Sequence, residues 1–398
     1  MTPTSHRTAV TPTPRRTAAA TILSIALTGA TLRVAVTSVG ALLPEIRAAL
    51  HLSDAAAAWL AALPVLIFAV LGAATPLLVR RVGPRGAMVA GLLVSALGLV
   101  GRALTGSAWV FGLCSVLALS GAAAGNVLMP GLVRRHGGQH LGAATALYTT
   151  ALALASAGAA AGSTALATYA GWRGGIGVWA LLNVAAACSW LPLRRPQERR
   201  GPLPRPSRGR LPRVWSRRVV LITAFFGFQS VQSYTVFGWF PTLLRDTGTS
   251  TPEAGTLIGL YAVVAVPVYL VAPRLPPARL RIAVLGLGLC QIAAYLGLIA
   301  DPAGPTWLWM TLAGIGSGSF AVALHLIAGA GAGAGSTTSI SAAVQGSGYL
   351  LAAAGPLLVG LVHGVTCDWA PSLVLLCVAA VISTSSGLGS LGQKAPMS

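Results

Sequence analysis

The stretch AAATILSIALTGATLRVAVTSVGALLP, residues 18–44, is an apolar run that contains one permanent positive charge, Arg33. About 20 apolar residues are enough for a helix to cross a bilayer. A charge near the middle of such a helix costs roughly 2.5 kcal/mol or more on insertion scales, and it usually faces protein or water. The position of Arg33 therefore predicts that its side chain projects into an aqueous cavity and meets a negatively charged group.

The composition is that of a polytopic membrane protein. Of the 398 residues, 55% are hydrophobic and 9% are charged, and the mean hydropathy is +0.76. A soluble domain has about 25% charged residues. The net charge of +20 does not indicate nucleic-acid binding, because the arginines fall in short loops between apolar spans. The five cysteines form no C-x-x-C pair, so we predict neither a metal site nor a disulfide framework, and no cofactor.

Charge and hydropathy together predict twelve spans with both termini in the cytoplasm. With the N-terminus inside, the inner segments hold every Lys and Arg except Arg33, Arg47, Arg102, Arg173 and Arg245, as the positive-inside rule requires. We therefore expect a multi-pass protein of the inner (plasma) membrane, with the lipid bilayer as its main partner. The predicted spans are 18–44, 55–79, 86–106, 108–133, 142–169, 175–193, 219–244, 255–273, 282–300, 307–330, 338–362 and 369–390.

The two halves of the chain repeat each other. Pro44 and Trp172 recur as Pro241 and Trp369, at the same separation along the chain. Six plus six helices in parallel repeat are typical of secondary transporters whose site lies between the halves. We predict an all-α membrane protein of two pseudo-symmetric six-helix bundles. Its parts are a disordered cytoplasmic tail (1–17), an N-terminal bundle (18–193), an Arg/Pro-rich cytoplasmic linker (194–218), a C-terminal bundle (219–390) and a cytoplasmic tail (391–398).

The loop after the second span resembles a signature of the major facilitator superfamily. The signature has the form G-x-x-x-D-R-x-G-R-[RK], and Pro76–Arg85 reads PLLVRRVGPR. Arg81, Gly83 and Arg85 match, whereas Arg80 stands where the superfamily has Asp. The resemblance implies a twelve-helix transporter, but the cytoplasmic latch that the Asp helps to form is not implied here.

Longer stretches resemble one subfamily, the cyanate and nitroimidazole type permeases. The resemblance covers both halves and implies transport of a small anion such as cyanate, or of nitroimidazole-like compounds, across the inner membrane. It does not specify the substrate. The stretches are Thr37–Ile46 (TSVGALLPEI), Leu147–Ala157 (LYTTALALASA), Gln229–Gly248 (QSVQSYTVFGWFPTLLRDTG) and Gly348–His363 (GYLLAAAGPLLVGLVH).

Arg33 is the first candidate for substrate binding. No Asp or Glu lies deep in any span, so the field near the midplane favours anions or polar neutral molecules. A guanidinium offers a planar fork of donors that suits such anions. The alternative is a structural Arg33 that donates to carbonyls of a neighbouring helix. Arg102, near the outer end of the third span, is interpreted as an interfacial anchor.

Polar side chains inside other spans are further candidates. Gln229 and Tyr234 lie in the seventh span, Gln345 in the eleventh, and Tyr148 at the position of the fifth that matches Gln345 by the repeat. Asn126 lies in the fourth. Such side chains need partners, because lipid offers none. They either line the cavity or join helices to each other.

His325 is the one histidine deep in a predicted span. It is either a hydrogen-bonded structural residue or a cavity residue that titrates near neutral pH and carries a coupling proton. We predict a monomeric secondary transporter of a small substrate, which we expect to be anionic. We predict that it is not an enzyme, since the sequence places no cluster of catalytic carboxylates, His or Cys near a membrane interface. The alternative is an exporter of neutral or hydrophobic drugs in which Arg33 is structural.

Overall fold

A computed structural model describes residues 14–137, 141–191, 215–330 and 334–393. Within these ranges all regular structure is helical and no strand occurs. The α-helices are α1 (Pro14–Ala41), α2 (Leu43–Leu50), α3 (Asp54–Leu104), α4 (Ala108–Gly137), α5 (Leu141–Gly177), α6 (Trp179–Trp190), α7 (Arg217–Asp246), α8 (Thr251–Val263), α9 (Val266–Val271), α10 (Pro277–Ala300), α11 (Thr306–Ser317), α12 (Ser319–Ala328), α13 (Ala334–Thr366) and α14 (Ala370–Gly392).

Two glycines divide the longest helices into separate passes. Gly83 in α3 has φ 76° and Gly171 in α5 has φ 65°, a backbone region that favours glycine. Eleven described segments are long and apolar enough to cross a membrane. One of them, Leu147–Trp190, is divided at Gly171 and contains two passes. This gives twelve passes, which confirms the predicted number.

Two helix starts differ slightly from the predicted boundaries. The described part of α1 begins at Pro14, three residues before the predicted end of the tail at residue 17. α7 begins at Arg217, where the Ser216 side chain accepts a hydrogen bond from the Val219 amide at 3.3 Å. Most of the predicted tails and linker fall in residues 1–13, 192–214 and 394–398, which lie outside the described residues. The division into domains therefore remains a prediction.

The helices form an N-terminal half, α1–α6, and a C-terminal half, α7–α14. Within the N-terminal half, α3 packs on α4 and α1 packs on α5. Within the C-terminal half, α7 packs on α13 and α14, and α10 packs on α11. The halves meet where α3 packs on α13, α5 on α8, and α1 on α7. We call this contact the seam.

The seam is closed at the end of the bundle that carries α2, which we call the Glu45 end. An apolar cluster of Leu43, Ala57, Ala58, Trp239 and Val359 crosses the seam there. These side chains are at most 3% exposed, so they exclude water from the contact. The two halves therefore form a continuous wall at the Glu45 end.

Candidate functional site

Arg33 lies at the seam, with its charge against aromatic rings of the opposite half. Its side chain is buried, at 7% exposure. The guanidinium carbon Cζ is 5.4 Å from the ring centroids of Tyr234 and Phe237 and 5.2 Å from that of Phe320. All three distances are within the ~6 Å range of cation–π attraction. A cation of the N-terminal half is thus framed by rings of the C-terminal half.

The guanidinium of Arg33 has no hydrogen-bond acceptor among the described residues. The ion pairs in this part of the chain are Arg47–Asp54 and Arg245–Glu45, and neither includes Arg33. The Thr37 hydroxyl donates to the backbone carbonyl of Arg33 at 3.1 Å, and this bond does not involve the guanidinium. Cation–π attraction leaves the N–H donors free. Arg33 can therefore still donate to a ligand.

A cavity of about 10 Å³ lies beside Arg33, and both halves line it. A space of this size holds about one water molecule. A larger ligand can therefore enter only when the halves move apart. The lining combines hydroxyl groups with apolar and aromatic surface. It comprises Arg33, Leu152, Ala153, Ser156, Ser233, Phe237, Tyr261, Ala262, Tyr269 and Ser317.

A short hydrogen-bond network connects the polar face of α7 to this cavity. The Oγ of Ser233 accepts from Gln229 Nε2 at 2.8 Å and from the Tyr261 hydroxyl at 3.4 Å. The Oε1 of Gln229 accepts from the Ser230 hydroxyl at 3.2 Å. Gln229 therefore lies one residue away from the cavity and reaches it through Ser233. Tyr234 contacts the site through its ring, at Arg33.

The structure does not bring Asn126, Tyr148 and Gln345 to the cavity. Tyr148 is buried, and its backbone packs against Gly29 of α1. Gln345 is half-buried and donates from Nε2 to the Ser341 hydroxyl at 2.8 Å, within its own helix. Asn126 is half-buried on α4. All three lie outside the cavity lining, so their role as cavity residues remains a prediction.

His325 is exposed and does not line the cavity, so its role as a cavity residue remains a prediction. It lies in the last turn of α12, which ends at Ala328, and its neighbours Leu326 and Ile327 in that turn are buried. Hydropathy alone continues the predicted span to residue 330, because the residues that follow are small and apolar. His325 therefore lies at a helix end and outside the lining of the cavity beside Arg33.

Sequence reasoning missed several residues that contact Arg33 or line its cavity. Phe237 had a usable signal, since it follows Tyr234 by three residues and so shares its helix face. Phe320, Tyr261 and Tyr269 had none, because single aromatic residues in apolar helices usually serve packing. Their place beside Arg33 depends on how α8, α9 and α12 pack across the seam.

Arg102 lies inside the N-terminal half, so its interpretation as an interfacial anchor was wrong. The residue is 1% exposed. Its Nε donates to the Ser115 hydroxyl at 2.8 Å, and its Nη1 donates to the carbonyl oxygen of Ala35 at 2.9 Å. Close packing of α1, α3 and α4 provides these acceptors and excludes lipid. Arg102 thus joins three helices of one half.

Comparison with known proteins places the chain in a family. The model of the Major Facilitator Superfamily matches residues 25–356. This chain belongs to the Major Facilitator Superfamily and is a membrane transporter. The chain is 33% identical over 365 residues to "Uncharacterized transporter YycB" of Bacillus subtilis (strain 168), a match that covers 90% of each chain.

Two further relatives have transport activities in their names. The "2-nitroimidazole transporter" of Escherichia coli (strain K12) is 30% identical and is matched over 92% of this chain and 94% of its own. "Cyanate transport protein CynX" of the same organism is 27% identical and is matched over 91% of this chain and 95% of its own. Among solved structures, a bacterial homologue of the human lysosomal transporter Spinster, inward-facing and unoccupied, superimposes with a TM-score of 0.73. It is 16% identical, over 97% of this chain and 100% of that one, so it supports the fold alone.

Proposed function

We propose that this transporter moves a small anion or a nitroimidazole-like compound across the plasma membrane by alternating access, with Arg33 as its main polar contact. One observation carries the proposal: a buried guanidinium with free donors borders a cavity that both halves line. A buried cation without a counter-charge is costly, so a ligand that supplies negative charge gains from binding there. The names of two relatives point to the same two substrate classes.

The surroundings of Arg33 favour a flat or linear ligand with delocalised charge. The guanidinium can donate two parallel hydrogen bonds to two adjacent oxygens, such as those of a nitro group, and can donate to a terminal atom of a linear anion. The rings of Tyr234, Phe237 and Phe320 offer stacking surfaces on the opposite half. The hydroxyls of Ser156 and Tyr261 can bind a second polar atom. Cyanate can accept hydrogen bonds at both of its ends, and a nitroimidazole can in addition stack on the rings.

The remaining candidates have supporting roles in this proposal. Gln229 acts through Ser233, whose hydroxyl it orients. Tyr148, Asn126 and Gln345 contact the substrate after the halves separate and the cavity widens. A role for His325 in coupling requires that it face the cavity once the halves separate, because it lies outside the present lining.

The membrane potential bears on the direction of transport. A monovalent anion that enters a cell against an inside-negative potential requires roughly 2.3 kcal/mol per 100 mV. Uptake therefore needs a co-transported proton, exchange, or rapid consumption inside, whereas export is driven by the potential. A neutral nitroimidazole is subject to neither effect. We propose that the protein is a monomer. We also propose that both termini lie in the cytoplasm, the orientation that the arginine distribution predicts.

The test is ligand-induced stabilisation of the purified full-length protein, with cyanate and 2-nitroimidazole as probes. We expect both Arg33→Ala and Arg33→Lys to bind less tightly than the parent, with Lys retaining part of the affinity because it keeps the charge but loses the fork. Arg102→Lys is the matched control, because it alters a buried arginine away from the cavity and should bind normally. Flux in proteoliposomes should follow the same order.

The same experiment addresses the alternative function. If Arg33→Ala binds and transports both probes as the parent does, Arg33 is structural and the proposal is wrong. Stabilisation of the parent by neutral hydrophobic drugs, with no response to either probe, would favour the drug exporter.

A further inference from the structure

One ion pair joins the two halves at the Glu45 end. Glu45 lies in the first turn of α2, and Arg245 lies in the last turn of α7. The Nη1 of Arg245 donates to the Oε1 of Glu45 at 2.7 Å. The Thr251 hydroxyl, at the start of α8, donates to the same oxygen at 3.2 Å. A single carboxylate oxygen of the N-terminal half thus accepts from two helices of the C-terminal half.

The pair is partly sheltered and incompletely satisfied. The Arg245 side chain is 29% exposed, and the Glu45 side chain is 27% exposed. The other carboxylate oxygen, Oε2, is buried and has no donor among the described residues. A buried acceptor without a donor reduces the net stability of such a contact. The pair therefore holds the halves together, yet it can separate at modest cost.

The other charged contacts at this end stay within one half. Arg47 pairs with Asp54, and both belong to the N-terminal half. Asp246 accepts from Trp369 Nε1 at 3.0 Å, and both belong to the C-terminal half. The ring of His363, also in the C-terminal half, stacks on Trp369 at 3.7 Å. Across the described ranges, Glu45–Arg245 is thus the ion pair that crosses the seam.

We propose that Glu45, Arg245 and Thr251 form a latch that keeps the Glu45 end closed and breaks each time this end opens. The inference rests on the alternating-access cycle proposed above. Opening separates α2 from α7 and α8, and water then hydrates both charges. Exposed and partly exposed ion pairs contribute little net free energy, so the latch biases the equilibrium between states without fixing it.

The experiment measures how often the Glu45 end opens. Ala58 is 1% exposed, and a Cβ at Gly360 of α13 would touch it across the seam. In a background without native cysteines, Ala58→Cys places a reporter thiol inside the closed seam. A maleimide reacts with this thiol only when the Glu45 end opens. The full-length protein is labelled in nanodiscs without added substrate.

We expect Glu45→Gln and Arg245→Gln each to raise the labelling rate about fivefold, the effect of losing a partly exposed ion pair. Thr251→Val should raise it less, because it removes one neutral donor. Arg47→Gln is the matched control, since it breaks a pair within one half, and its rate should equal the parental rate. The double charge reversal Glu45→Arg with Arg245→Glu should restore slow labelling, which general loss of structure cannot do.

Two outcomes would overturn the proposal. One is parental labelling in Glu45→Gln, and the other is an equal rise in Arg47→Gln. A third variant distinguishes failure of the latch proposal from failure of the alternating-access cycle on which it rests. Gly40→Ala should force the seam open, because a Cβ there would overlap the Phe237 carbonyl oxygen. If Gly40→Ala raises labelling and Glu45→Gln does not, only the latch fails. If neither variant changes labelling, both the latch and the proposed alternating-access cycle are wrong.

Discussion

Arg102 donates a hydrogen bond from Nη1 to the carbonyl oxygen of Ala35, 2.9 Å away, on the same stretch of α1 that carries Arg33. The two arginines are both buried in the membrane, but their surroundings differ. Arg102 has two oxygen acceptors, and its position is fixed within one half. Arg33 has aromatic rings of the other half and a cavity beside it. We infer that the first arginine stabilises the fold and that the second binds the substrate.

Arg33→Met should leave the ligand-free protein as stable as the parent, or more stable. Replacing even a buried ion pair with apolar side chains of similar volume is often neutral or stabilising, by about 1–4 kcal/mol, and Arg33 has no counter-charge to lose. The lost cation–π contacts offset part of this gain. Thermal unfolding in one detergent, without ligand, measures the effect. A clear drop in Tm would mean that Arg33 is structural.

Arg102→Met should destabilise the protein by about 1–3 kcal/mol, because the Ser115 hydroxyl and the Ala35 carbonyl lose a buried charged donor. The same unfolding measurement shows it as a lower Tm. Ser115→Ala removes one of the two acceptors and should cost less. Ligand affinity, measured at a temperature where the variant is folded, should stay within a factor of two or so of the parental value. Loss of binding together with normal stability would contradict the structural assignment.

A double-mutant cycle should detect coupling between Arg33 and Phe320, whose ring centroid lies 5.2 Å from Cζ. Phe320→Leu keeps an apolar side chain but removes the π face. We expect it to cost about 0.5–2 kcal/mol more when Arg33 is present than in the Arg33→Met background. Phe111, whose ring lies 5.7 Å from Arg102, serves as the control, because its substitution should not couple to Arg33. Additive effects at Arg33 and Phe320 would exclude the contact.

Gly40→Ala should slow transport strongly, because the Glu45 end can no longer close fully. A Cβ at this position would overlap the Phe237 carbonyl, and backbone atoms cannot move aside as a flexible side chain can. Gly158→Ala is the matched control, since a Cβ there meets nothing within 4 Å. Uptake or efflux in proteoliposomes, normalised to the amount of folded protein, makes the comparison. Equal rates for the two variants would show that close packing at Gly40 is not needed.

The sequence by itself determined the membrane class, the twelve passes and the family, because hydropathy, arginine placement and motifs are properties of short stretches. It also singled out Arg33, since a charge in an apolar run is unusual without any knowledge of its neighbours. Gln229 and Tyr234 were identified in the same way. These predictions depend on residues close together in the chain, which explains why they could be made without coordinates.

Only the tertiary structure decided what each of these side chains contacts. Arg102 and Arg33 look alike in the sequence. Arg102 lies where α1 packs against α3 and α4, whereas Arg33 lies where α1 packs against α7, and the two side chains therefore have different contacts. Packing also placed Phe320 at Arg33, left His325 exposed, and paired Glu45 with Arg245 far along the chain. Such contacts depend on how whole helices approach each other, and in a membrane that approach is determined by shape and close packing more than by hydropathy.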